Sequence, residues 1–570
     1  MAWMEEKIVV VDKSSFYQVL EINGKSYIDC RDPNHCQLRD YISSYLGREI
    51  DSYTIDDFGH RYPVTFLLNY IPSFKAKRDG GMPLLVAYLE KVKTIRQDSY
   101  KERQKLGKIE MGDLELVFPQ GTDIVYHDGN GGLIGGQVQK IDVRNSFFTG
   151  PYFIIQLKVI HAIKGEIENG IYSFSIGGFY GLEDLKSLPI CVPTDSDKEF
   201  MSKRGEKFAK FFTPGQYVSY NGILTQPSYW SARTFRADGR VVIDPVSFQR
   251  AEPEIWRDCI YKCGINIDEG RDDRATIKHT AIDPADYWRC APFLYGFSLA
   301  VKQWGRLELD GMSEINWRDD AWDKLVLDEG EKDLIFSLVK FHGQGFTDII
   351  EGKGGGCIFL LHGKPGWGKT CSAEAVAELL HKPLYSVGVG ELGTDTTTLE
   401  EKLRSILDVG TIWDAVILLD EADIFLEERD DHNIARNAMV GVFLRLLEYH
   451  NGVLFLTTNR VKKIDEAFYS RISVALHYKS DGKALKIWQN LLTASKLNPA
   501  WANALSSYDI NGRQIKNSIR MAQTLARAGS RPVDIEDLKR AATAAISFER
   551  EMKKQHLENE LQVKAASNND

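Results

Sequence analysis

Gly363-Lys364-Pro365-Gly366-Trp367-Gly368-Lys369-Thr370 is the stretch that decides the fold of this chain. It fits G-x-x-x-x-G-K-[ST], a pattern whose glycines let successive backbone N–H groups converge on phosphate oxygens. An apolar strand-like run, Ile358–Leu361, leads into it, and an Ala/Glu/Leu-rich helical stretch, Ser372–Leu380, leads out. A helix beginning at that point adds positive potential where the phosphates would sit. Lys369 is expected to meet the β- and γ-phosphates of a nucleotide, and Thr370 a Mg²⁺ ion. The run from Gly363 to Cys371 is therefore expected to line the nucleotide. The alternative, a Gly-rich strand-to-helix turn without a ligand, does not explain why Lys and Thr follow the last glycine.

A second stretch, Ala415-Val-Ile-Leu-Leu-Asp420-Glu421-Ala-Asp423, is an apolar run ending in carboxylates. On a parallel strand Asp420 and Glu421 emerge at the carboxyl edge of the sheet, where open α/β sheets bind ligands. Asp420 can hold Mg²⁺ through water, and Glu421 can polarise an attacking water as a base. A third run, Val453-Leu-Phe-Leu-Thr457, ends in Thr458-Asn459-Arg460. A polar amide such as Asn459 at the end of such a strand can orient water against a γ-phosphate. Taken alone, Asn459 is better read as an Asx turn closing the strand; in series with the two phosphate-site strands it is not.

Composition sets the outer limits. The chain has 570 residues, 43% of them hydrophobic, with 71 Lys and Arg against 80 Asp and Glu and a formal net charge of −9. That supports several folded cores and argues against a globally basic nucleic-acid binder. No run approaches the ~20 apolar residues that span a bilayer. The first twelve residues, with Glu5 and Glu6 ahead of a short Ile-Val-Val-Val run, fit neither a secretory signal nor a basic transit peptide. An intracellular location, cytoplasmic or nuclear, is expected. The eight cysteines are scattered without a C-x-x-C pair and read as free thiols. Cys30-x5-Cys36 and Cys259-x3-Cys263 lack the second ligand pair of a zinc site.

Along the chain, residues 1–110 read as a mixed segment with one helix from Pro83 to Lys105. Residues 111–250 read as a β-rich domain, with runs at Leu114–Phe118, Thr122–Tyr126, Tyr152–Ile160, Ile171–Ile176, Tyr217–Ile223 and Val241–Ile243. Gly-Asn-Gly-Gly at 129–132 and Ala-Asp-Gly-Arg at 237–240 read as hairpin turns, and Arg204–Phe212 as a helix. Residues 251–330 read as a connector. Strand and helix runs alternate over 331–480, which predicts a parallel α/β sheet. Residues 481–550 read as helical, and 551–570 as a charged, disordered tail.

The series of motifs resembles AAA ATPases, in which Asn459 matches the sensor-1 position. The resemblance implies an α/β P-loop core with a small C-terminal helical lid, ATP as ligand and Mg²⁺ as cofactor. It implies that Arg471, in Asp465-Glu-Ala-Phe-Tyr-Ser-Arg471, reaches the γ-phosphate of a neighbouring subunit in a ring, usually a hexamer. Arginine suits that role because its fork neutralises charge on the transferring phosphate. A surface salt bridge is the plainer reading of Arg471. Arg513, after Gly512 at the start of a helix over Gln514–Ala528, resembles the sensor-2 arginine of the lid, and reads equally as a helix-initiating surface residue.

Gly441–Glu448, Thr457–Val461, Asp465–Leu476 and Asn511–Asn517 are similar to a group of AAA ATPases from filamentous fungi. Those proteins carry an N-terminal region of unknown function. Arg204–Phe208, Tyr220–Gly222, Val242–Pro245, Gly296–Leu299 and Lys302–Gly305 carry the likeness into that region, over about 114–548 in all. The chain departs from protein-threading members at Gly393-Thr-Asp-Thr-Thr-Thr-Leu399, where they place an aromatic paddle facing the pore.

The expectation is an ATP hydrolase that remodels an unidentified protein partner as a homo-oligomer. A nucleotide-gated scaffold with slow turnover is the alternative. Basic runs such as Lys101–Lys108 and Lys553-Lys554 are interleaved with acids, so a nucleic-acid remodeller has less support.

Overall fold

Five apolar runs, Cys357–Gly363 (β1), Leu384–Gly388 (β2), Val416–Asp420 (β3), Val453–Thr458 (β4) and Val474–Tyr478 (β5), form one parallel sheet in a computed structural model of the chain. Their order is β2-β3-β4-β1-β5. The structure describes residues 8–13, 17–22, 25–30, 38, 42, 61–68, 71–75, 82–110, 113–127, 132–146, 150–179, 181–227, 232–262, 265–266, 278–279, 281–341, 356–393, 395–429, 434–460, 464–479, 482–547 and 551. They fall into two compact units, residues 1–158 with 173–195, and residues 159–172 with 196–570.

The strands are continuous hydrophobic runs because both sheet faces are covered. Successive side chains point to opposite faces. Ile358, Leu360, Ile417, Leu419, Leu454 and Leu456 face a core built with Leu399 and Leu403 of helix Thr396–Ile412 and Val440 and Phe443 of helix Ile434–Glu448. Phe359, Leu361, Val416, Leu418 and Phe455 face a second core built with Ala373 and Val376 of helix Lys369–Leu380 (α1) and Ile335 of helix Glu329–Lys340. Helices Ala484–Ala494 and Gly512–Ala528 and the helical residues 535–547 form a small lid. It closes around Trp488, Leu492, Ile515, Ile519 and Leu538.

Ahead of this core in the second unit lies a seven-stranded antiparallel sheet. Its order is Arg233–Arg236, Ile223–Gln226, Gln303–Glu308, Phe293–Ser298, Gly239–Ile243, Gln216–Tyr220, Met312–Ser313. Residues 251–330, expected as a connector, therefore supply two of its inner strands. Every residue of Phe293–Ser298 is buried, so the run lacks the polar alternation that marks a half-exposed strand. The turn expected at 237–240 is also corrected, because the strands it joins are not neighbours. Arg233–Arg236 pairs with Ile223–Gln226, whereas Gly239–Ile243 pairs with Gln216–Tyr220 and Phe293–Ser298.

In the first unit, strands Ile8–Lys13, Gln18–Ile22, Lys25–Asp29 and Arg61–Pro63 make an antiparallel sheet. Val19 and Ile28 of this sheet share a core with Leu85 and Leu89 of the helix Met82–Lys105. Leu114–Phe118, expected as a strand, is a helix over Leu114–Val117. Asp113 just before it accepts from Glu110 N–H and from Arg103 at 2.7 and 2.6 Å, which fixes a turn at a point where the apolar run alone suggests extension. The helix expected at Arg204–Phe212 spans Asp195–Phe211.

Cys30, Cys191, Cys259, Cys290, Cys357 and Cys371 are free thiols, and Cys36 and Cys263 lie outside the described residues. Most of the turn expected at 129–132 and of the tail 551–570 also lies outside them. Among the described residues no helix is long and apolar enough to cross a membrane.

Candidate active site

The phosphate loop leaves β1 at Gly363 and enters α1 at Lys369. Its conformation needs glycine at two points for different reasons. Gly363 has φ +144°, and a Cβ there would stand 2.5 Å from the Tyr478 carbonyl on β5. Gly366 has φ +82°, and a Cβ would stand 2.5 Å from Asn511 Oδ1 at the cap of the lid helix Gly512–Ala528. The loop is thus held between the neighbouring strand and the lid, with no room for a side chain.

Lys369 is 8% exposed. Its ammonium donates to Gly363 O at 2.7 Å, Lys364 O at 3.0 Å and Asn459 Oδ1 at 2.8 Å. Burial pushes its pKa down and Arg513 acts in the same direction, while Asp420, Asp423 and Glu421 oppose the shift. Two sequence-predicted residues from different strands are therefore joined directly, Lys369 after β1 and Asn459 after β4.

Asp420 ends β3 and faces Thr370, with its carboxylate oxygens 3.4 and 3.3 Å from Thr370 Oγ1. That is long for a direct hydroxyl–carboxylate bond and suits two groups sharing a hydrated cation. One hydroxyl and one carboxylate fit Mg²⁺, which binds few protein oxygens and keeps waters and substrate phosphates as its other ligands. Thr457 on β4 completes this corner. Its hydroxyl donates to Asp420 and accepts from the Glu421 N–H at 2.9 Å. Glu421 holds φ +57°, a left-handed conformation that is uncommon for glutamate and turns the chain sharply at the strand end. Its carboxylate has no hydrogen-bond partner among the described residues.

Asp423 plays the matching part for Asn459. It accepts from the Asn459 N–H at 3.0 Å and from the hydroxyl of the preceding Thr458, so the backbone that carries Asn459 is tied to one carboxylate. Reading residues one at a time missed Thr457 and Asp423, because neither type marks a nucleotide site by itself. The available signal was their position, one at the end of each strand flanking the expected catalytic groups.

The remaining predicted residues are placed less uniformly. Lys364 and Pro365 form the exposed crest of the loop. Trp367 is half-buried and packs against the apolar cluster on the α1 side of the sheet. Cys371 is exposed at the third residue of α1. Arg513 is exposed next to Gly512, whose Cα faces the Gly366 carbonyl, so the lid carries it to the loop. Arg471 is not part of this cluster. It donates to Leu444 O at 3.2 Å, Ala467 O at 2.8 Å and Glu448 Oε2 at 3.1 Å. Val474 pairs with Phe359 near the start of β1, so Arg471 precedes the strand at the opposite edge of the sheet from the loop.

Residues 359–479 match the family described as ATPase family associated with various cellular activities (AAA). They are an AAA domain. The match begins inside β1 and ends just past β5, so it takes in the whole sheet and all three motif strands. Similar proteins include a mitochondrial AAA-ATPase of Arabidopsis thaliana, 27% identical over 28% of this chain and 38% of that protein. Spastin of Danio rerio is 32% identical over 26% of this chain and 28% of its own length. A mitochondrial sorting homolog of Caenorhabditis elegans is 26% identical over 35% of this chain and 60% of its own. The chain thus spans less than two thirds of the length of each.

Proposed function

We propose that this chain binds ATP with Mg²⁺, hydrolyses it to ADP and phosphate, and uses the cycle to remodel a protein partner as a homo-oligomer. The observation that carries the reading is the gathering of two hydrogen-bonded sets at the carboxyl ends of β1, β3 and β4. One joins Lys369, Asn459 and Asp423, and the other joins Thr370, Asp420 and Thr457. Gly363–Thr370 would wrap the phosphates, with Lys369 exchanging its carbonyl partners for phosphate oxygens. Thr370 and the carboxylate of Asp420 would hold Mg²⁺, which when bound neutralises charge on the phosphate oxygens. Glu421 would take the proton from the attacking water as its oxygen bonds to the γ-phosphorus and the bond to the β-phosphate oxygen breaks. Asn459 would hold that water in line.

Arg471, away from its own loop, would serve a neighbouring subunit's nucleotide, which supports a ring. Arg513 would close the lid side of the site. The segment Gly393–Leu399 has no aromatic residue, which supports remodelling by a route other than threading a peptide through the ring. The seven-stranded sheet would be the part that engages the partner and feels the motion of the lid.

Glu421→Gln tests the catalytic core of this reading. The variant is expected to bind ATP with little change and to lose at least about 100-fold in phosphate release. Phosphate release at the wild-type rate removes Glu421 as the base.

A further inference from the structure

Arg240 lies on the strand Gly239–Ile243 of the seven-stranded sheet, outside the AAA domain. Its Nη2 is 2.6 Å from Glu378 Oε1, and the two side chains are 24% and 16% exposed. Glu378 is in the last turn of α1, the helix that begins at Lys369. The other Glu378 oxygen accepts the Arg318 N–H at 3.0 Å.

More groups converge on the same helix end. The Arg240 guanidinium lies 4.8 Å from the centre of the Trp317 ring. Trp317 stacks on His381, with ring centroids 4.5 Å apart and planes 16° apart. His381 is the left-handed residue, φ +53°, that ends α1, and its Nε2 is 2.7 Å from Asp319. The polar side chains at the carboxyl end of α1, Glu378 and His381, are therefore met from outside the AAA domain, by a residue of the sheet and by the segment 317–319.

A 12-residue α-helix is a stiff rod about 18 Å long. Displacement of one end moves the other, and here the other end presents Lys369 and Thr370. Misplacement of catalytic groups by about 1 Å can reduce turnover about 100-fold. A fully exposed ion pair would be too weak to matter. This pair is mostly shielded, stacked on an aromatic face and shares its carboxylate with a backbone donor. The sheet itself is anchored nearby, because Trp413 Nε1, after the helix Thr396–Ile412, donates at 2.8 Å to the buried Asp244.

We propose that Arg240 is a positioning residue that seats α1 through Glu378, so that the seven-stranded sheet sets the place of Lys369 and Thr370 at the nucleotide site. The inference rests on the nucleotide-site reading above. By reciprocity, a partner that shifts the sheet changes nucleotide affinity by the factor with which nucleotide changes partner affinity.

The test uses the full chain with Arg240→Ala, Arg240→Lys, Glu378→Gln, the double variant Arg240→Ala/Glu378→Gln, and Lys210→Ala as a control in the exposed pair with Glu314. Measurements are thermal unfolding, Kd for a fluorescent ATP analogue, and kcat and KM for ATP, all below the unfolding temperature of each variant. Arg240→Ala and Glu378→Gln are each expected to weaken nucleotide binding about 5-fold or more. The double variant is expected to be no worse than the poorer single, since both break one contact. Arg240→Lys restores part of the loss, keeping charge without the planar fork, and Lys210→Ala changes nothing. A purely structural role would lower unfolding temperature without this non-additive pattern in nucleotide affinity. Folded Arg240→Ala with Kd and kcat within about twofold of wild type overturns the proposal, as do losses that add in the double variant. If Arg240→Ala does not fold, Arg240→Lys and Glu378→Gln decide by the same criteria. Wild-type protein that fails to bind the analogue overturns the nucleotide-site reading itself.

Discussion

Lys369 donates a 2.8 Å hydrogen bond to Asn459 Oδ1, joining the phosphate loop after β1 to the residue that follows β4. The same ammonium is held by the carbonyls of Gly363 and Lys364, so its position is set by three acceptors from two strands. Electrostatic groups aimed at a transferring phosphate are effective because they are placed before the reaction begins. In the proposed cycle the two residues act at different stages. Lys369→Ala removes the charge that would meet ground-state phosphates, so it is expected to abolish measurable ATP binding in calorimetry. Asn459→Ala is expected to leave Kd within a few fold and lower kcat about 100-fold. Equal losses of binding in both variants would contradict this division.

Thr457 supports two groups with one hydroxyl, donating to Asp420 and accepting from the Glu421 N–H. Thr457→Val keeps the shape and removes both bonds. Asp420 then loses its orientation toward Thr370, and the strained turn at Glu421 loses its tether. A drop in kcat of roughly 10- to 100-fold is expected, the range typical for residues that orient metal ligands. Added Mg²⁺ should recover part of it. Thr457→Ser, which retains the hydroxyl, should turn over close to wild type. A Val variant as active as the Ser variant would show that the hydroxyl is dispensable.

Trp413 and Asp244 meet in a buried contact between the seven-stranded sheet and the AAA domain. Asp244 is 1% exposed and Trp413 5%, and Asp244 also accepts the Ser247 N–H that starts the next helix. Trp413→Phe keeps an aromatic ring but leaves a buried carboxylate oxygen without its donor. The expected loss is about 1–3 kcal/mol, because an unsatisfied buried acceptor keeps its full desolvation penalty. Thermal unfolding compared with Trp413→Phe in an Asp244→Asn background measures it. The loss should shrink once the charge is gone.

How much of this was legible from sequence depends on how local the signal is. The phosphate loop and the strands ending in Asp420 and Asn459 were readable because their chemistry is written in contiguous residues with long apolar runs. Thr457 and Asp423 carry no such mark; their roles come from pairings between strands, across 36 or 37 residues of chain. The inner strand Phe293–Ser298 was missed because both of its faces are buried, which erases alternation; its neighbour Gln303–Glu308 is short and interrupted by Gly305. Leu114–Val117 turned helical because Arg103 captures Asp113, a contact between separate elements. Arg240 had no signal in sequence, since its partner lies in another domain.

His161 offers a test of burial by pH. It is 3% exposed, and its Nδ1 accepts the Ile163 N–H at 3.4 Å, which needs an unprotonated nitrogen. Burial pushes its pKa down to about 4, and Lys164 acts in the same direction. The unfolded chain has a histidine near 6.5. Above pH 6.5 both states are neutral at this ring and its contribution is complete. Between pH 6.5 and 4 the unfolded state takes up a proton that the folded state refuses, so stability falls as pH falls. Below about 4 the folded ring protonates too and the loss levels off. Each pKa unit of difference corresponds to 1.36 kcal/mol, giving about 3 kcal/mol over this window. His161→Asn keeps a polar side chain of similar reach and removes the titration. Urea unfolding of wild type and variant at pH 7, 5.5 and 4.5 should show a difference between their midpoints that narrows or reverses toward low pH. A constant difference across the three pH values would mean that the ring titrates alike in the folded and unfolded protein.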